Sequence, residues 1–84
     1  MRRSIDDSSD DHPEGSDDRP PASWVVAVTD DCEACGEGEL RVALTLEEVG
    51  RSGLGLVAHL APANARRLRV ALAAALREIG EEAG

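Results

Sequence analysis

Cys32-Glu33-Ala34-Cys35-Gly36 is the segment of this chain whose residue types and spacing could do chemistry. Two thiolates separated by two residues can hold one side of a tetrahedral Zn²⁺, and a glycine after the second permits the tight turn that lets both sulfurs converge. That is half a site. The remaining ligands would have to come from His59, His12 or nearby carboxylates, or from a second copy donating its own Cys32 and Cys35 to make a Cys₄ centre. His59 falls mid-strand on a sheet face, so it reaches the loop only if a neighbouring strand sets the cysteines beside it. The plain alternative is two small loop residues with no partner.

A thioredoxin-like redox role fits less well. Such motifs open a helix, whereas Gly36-Glu37-Gly38 is hostile to one, and the surrounding acids are expected to raise the thiol pKa. Nothing else in the chain assembles a reaction: there is no nucleophile with a base beside it and no phosphate loop, and His59 alone supports no triad. The expectation is a protein that is not an enzyme.

Charge narrows the partners. The formal net charge of the 84 residues is −8, which argues against nucleic acid or an anionic membrane surface and favours a protein with a basic surface. Arg66, Arg67, Arg69 and Arg77 are the basic concentration, read as a solvated helix face that balances the acids. No apolar run reaches the roughly 20 residues needed to cross a bilayer, and no apolar signal region follows Arg2-Arg3, so a cytoplasmic location is expected. Two cysteines close in sequence are there more often reduced or metal-bound than bridged.

These residues need elements to position them. Residues 1–23 are acidic, rich in serine and proline and nearly free of apolar side chains, which predicts a disordered tail containing His12. From Trp24 the composition turns β-branched: Trp24 to Thr29 reads as a first strand, and Leu40 to Leu46 alternates strictly as a second. The cysteine segment lies in the loop between them. After the turn cluster Gly50-Arg51-Ser52-Gly53, Leu54 to Leu60 alternates as a third strand.

Pro62 suits the first position of a helix and Gly80 its end. Ala65, Leu68, Leu72, Leu76 and Ile79 trace one stripe between them, with Val70, Ala73 and Ala74 falling away from it. The expected architecture is α+β: a three-stranded antiparallel meander packed on one C-terminal helix, βββα, in residues 24–80, followed by a short tail, 81–84. The opposite sheet face would carry Val25, Ala27, Arg41, Ala43, Thr45, Val57 and His59, too apolar for free solvation. A homodimer burying such leftovers is expected.

The run from Gly55 to Leu68, continuing through Val70 to Leu76, resembles the tail of many small actinobacterial proteins of unknown function, which end in a strand, a Pro-initiated turn and an Ala/Leu/Arg helix. Ala61 departs from the Ser or Thr cap usual there. The resemblance supports the strand and helix and implies no activity. Two functions therefore stand on the sequence. The first is a small acidic regulatory or protein-interaction module without a cofactor; the alternative is a structural zinc module using Cys32 and Cys35 at a dimer junction.

Overall fold

The computed structural model describes residues 1–11, 21–36, 38–49 and 55–82. In these the chain runs β1 (Arg2–Ser9), β2 (Ala22–Thr29), β3 (Arg41–Glu48), β4 (Leu56–Leu60) and α1 (Pro62–Glu78). The strands form one antiparallel sheet in the order β1-β2-β3-β4. The fold is thus ββββα, and the three-stranded expectation is corrected by β1, which arises within the segment expected to be a disordered tail. His12, the rest of that segment to Pro20, and the turn Gly50–Gly53 lie outside the described residues.

β1 has almost no strand propensity of its own, and every side chain in it is exposed. What forms it is the edge of β2, whose Trp24-Val25-Val26-Ala27-Val28 run would otherwise present a row of unpaired backbone groups. Arg2 pairs with Thr29 and Ser9 with Ser23, and the register shifts between Ser4 and Asp6, leaving Ile5 at a bulge. Backbone bonds from Asp10 N–H to the Ala22 carbonyl and from Asp30 N–H to the Met1 carbonyl extend the ladder at both ends.

The pleat sorts the side chains by parity, as the alternation in β3 predicted. Val26 pairs with Leu44, Val28 with Val42, and Val42 with Leu60, so these share one face, and α1 packs over its β3 and β4 side. Val25, Ala27, Thr45, Ala43, Val57 and His59 share the other. Gly55 is required where β4 begins, because a Cβ there would fall 2.3 Å from the Leu46 carbonyl oxygen.

α1 starts with Pro62 behind Ala61, which makes no side-chain cap, as expected of its methyl group. It ends as expected near Gly80, whose φ of +83° lets the Gly80 N–H donate to the Arg77 carbonyl and the Glu81 N–H to the Leu76 carbonyl. The expected stripe is shifted by part of a turn. Ala65, Leu68, Leu72 and Leu76 do face the sheet, but Ala73 lines the same 410 Å³ cleft, while Ile79 stands 74% exposed beyond it.

The most buried residues are not in that cleft. Ala27 and Ala43 are wholly buried and Thr29 and Thr45 nearly so, all on the face without a helix. No residue of α1 is buried. The β2–β3 loop, which carries the cysteines, reaches this face at His59.

Candidate metal centre

The loop spans residues 30–40 and is closed at its base by the Thr29–Arg41 pair. Its shape follows from its glycines. The chain turns through Glu33–Cys35, with the Gly36 N–H donating to the Glu33 carbonyl at 3.2 Å and the Glu39 N–H to the Gly36 carbonyl at 3.1 Å. Gly36 and Gly38 have φ of +113° and +74°, which side-chain-bearing residues rarely adopt. These turns fold the loop back over the sheet.

Arg41 braces it there. Its guanidinium donates to the Leu40 carbonyl at 3.0 Å and to the Cys35 carbonyl at 3.4 Å, with Glu39 at 3.6 Å. On the other flank Asp31 N–H donates to Thr29 Oγ1 at 3.3 Å, and the Met1 amino group contacts the Asp30 and Asp31 carboxylates.

Cys35 thereby comes to rest with Sγ 3.5 Å from Nδ1 of His59. His59 is the β4 partner of Ala43, so the imidazole rises from the same face that the loop covers. Its approach, allowed by the sequence only as a condition, is what the register delivers. Cys32 joins them: its sulfur, that of Cys35 and an imidazole nitrogen of His59 all lie within 4.8 Å of one another. Cys32 and Cys35 are free thiols and half-buried, and His59 is exposed. These three residues are close enough to hold a metal ion.

The electrostatics set the two thiols apart. The Cys35 thiol and the backbone amides of Cys35 and Ala34 direct hydrogen bonds at Cys32, and Arg41 adds positive charge, so the Cys32 pKa is lowered. The Cys35 pKa is raised, first by that same hydrogen bond and then by desolvation. The expectation that nearby acids raise the thiol pKa is corrected for Cys32, which the hydrogen bond with the Cys35 thiol, and then those from backbone amides, move the other way.

The sequence missed two contributors. Arg41 looked like an outward residue of an alternating strand, and Thr29 like the end of another; neither carries a local signal for its role, which depends on where the loop returns. His12 falls outside the described residues, and the Arg66, Arg67, Arg69 and Arg77 group lies on α1, away from this face.

Among the described residues no helix is long and apolar enough to cross a membrane. A scan of the chain against protein-family models finds no match, and comparisons with curated proteins and with solved structures find none either. What the chain does must therefore be argued from its own atoms.

Proposed function

We propose that this chain is a small structural zinc module in which Cys32, Cys35 and His59 tie the β2–β3 loop to strand β4. The observation that carries the reading is the 3.5 Å separation between Cys35 Sγ and His59 Nδ1. With zinc bonds of about 2.3 Å to sulfur and about 2.0–2.1 Å to nitrogen, the sulfur–nitrogen edge of a tetrahedron is about 3.6 Å. A thiol–imidazole hydrogen bond has much the same length, and what adds to it is Cys32, whose sulfur lies within 4.8 Å of both partners.

Two thiolates and an imidazole form a soft donor set suited to zinc. Three protein ligands leave one tetrahedral position for water or a further donor. The benefit to the chain is structural. Its described core contains only two fully buried apolar residues, both alanine, and a domain of this size ordinarily needs a staple. Zinc would supply one across residues far apart in sequence, fixing a glycine-rich loop that is costly to order.

Native mass spectrometry with zinc titration tests this directly, with Co²⁺ substitution as the spectroscopic arm. One equivalent of metal per chain and thiolate-to-cobalt absorption are expected, both lost in Cys35→Ser. Unchanged mass and no such absorption would remove the zinc reading.

A second reading is supported by a separate observation. Leu46, Leu56, Val70, Leu72 and Ile79 are all at least half exposed, which suits a protein-interaction module whose acidic surface meets a basic partner. The two readings are compatible and separate on chelation. Removing zinc should lower the melting temperature under the first and leave partner capture through the apolar surface unchanged under the second.

A further inference from the structure

The two edges of the sheet are built differently. β1 carries Arg2, Arg3, Asp6 and Asp7 and is bulged between Ser4 and Asp6, devices that discourage a further strand from adding. β4 at the other edge reads Leu56-Val57-Ala58-His59-Leu60, with no Asp, Glu, Lys or Arg and a regular register against β3. Leu56 is 81% exposed and Val57 50% exposed. A flat, apolar, uncharged edge is the kind that pairs.

We propose that the outer edge of β4 pairs antiparallel with β4 of a second copy of this chain, extending the sheet to eight strands about a two-fold axis. Charge selects the second copy as the occupant. At a net charge of −8 two copies repel over most of their surfaces, and β4 is the edge that can meet itself without opposing like charges. A basic partner protein would instead be drawn to the β2–β3 loop, which carries Asp30, Asp31, Glu33 and Glu39.

The symmetry also fixes how the two helices would sit. Antiparallel pairing of identical strands places the two-fold axis normal to the sheet, so both helices emerge on the same face. α1 lies over β3 and β4, beside that axis. A register centred on Ala58 sets Leu56 opposite the partner's Leu60 and Val57 opposite the partner's His59, preserving the pleat. The pairing is made by the backbone, with each His59 set opposite the partner's Val57, so association is measured with and without zinc.

Sedimentation equilibrium of the full chain at about 10–100 µM, with and without zinc, is the test. The expected mass is twice the 8.9 kDa of one chain. Leu56→Glu and Val57→Glu each should weaken association at least about tenfold, while Ile5→Glu on the β1 edge should leave it unchanged. Because an edge variant can simply unfold, a second measurement uses the unaltered chain: β4 amides should become protected from hydrogen exchange as concentration rises, and β1 amides should not. A monomer throughout, loss of association in Ile5→Glu alone, or open-ended polymers would each overturn the proposal.

Discussion

One face of the sheet carries the large apolar residues and leaves them open; the other carries small ones and closes over them. On the helix face Leu72 and Leu76 remain 59% and 38% exposed above a 410 Å³ cleft. On the loop face Ala27 and Ala43 are wholly buried with no helix above them. The contrast teaches that apolar content does not decide burial. A helix of 17 residues resting on β3 and β4 touches the sheet along a line, whereas the loop on the other face is tied down by Arg41 at the Cys35 carbonyl and by Cys35 at His59.

If this contrast is right, the largest effects belong to the loop face. Cys35→Ser should weaken zinc binding by at least about a thousandfold, since it removes a thiolate ligand, and competition with a chromophoric chelator would measure it. An affinity within tenfold of the unaltered chain would mean that the loop is held closed by packing alone.

Acid should act on the same face. Zinc must displace protons from both thiols, so affinity should fall by at least about a hundredfold between about pH 7.5 and pH 6. The metal-free chain behaves differently. Cys32, with its lowered pKa, contributes stability that is present above the ordinary thiol value and lost as pH falls through the lowered one. Cys35, with its raised pKa, contributes stability present below the ordinary value and lost as pH rises through the raised one. Thiol-linked stability should therefore peak near the ordinary thiol pKa, about 8.5, and a melting temperature that only climbs or only falls across that range would contradict the shared proton.

Packing substitutions sharpen the comparison with smaller effects. Ala43→Leu, placed under the loop, should cost about 1–3 kcal/mol in urea unfolding, because a wholly buried methyl has no room to grow. Thr45→Val should gain about 1 kcal/mol, since its buried hydroxyl has no hydrogen-bond partner. Leu72→Ala, at concentrations that keep the chain monomeric, should cost about 0.5–1 kcal/mol, well below the usual penalty for a buried leucine. A larger loss at Leu72 than at Ala43 would reverse the ranking of the two faces.

Much of this fold was legible in local patterns. The strict alternation of Val42, Leu44 and Leu46 gave the parity of β3, and Pro62 and Gly80 bracketed α1, because periodicity and backbone permissiveness are properties of neighbouring residues. β1 was not legible. Arg2 to Ser9 has the composition of a solvated tail, and it becomes a strand only because β2 offers an unpaired edge. Ala73 was placed away from the stripe for a related reason: the rotation of a helix about its axis depends on the surface beneath it.

The sequence by itself determined the chemistry available at the centre: two thiols at turn spacing, a glycine able to take positive φ, and a histidine on an alternating strand. Tertiary structure decided whether they form one site. The pairing of Ala43 with His59 and the grip of Arg41 on the Cys35 carbonyl bring a sulfur and a nitrogen, 24 residues apart, to 3.5 Å. Loop return and strand register are long-range properties, fixed by backbone pairing and burial across the sheet, and no window of neighbouring residues contains them.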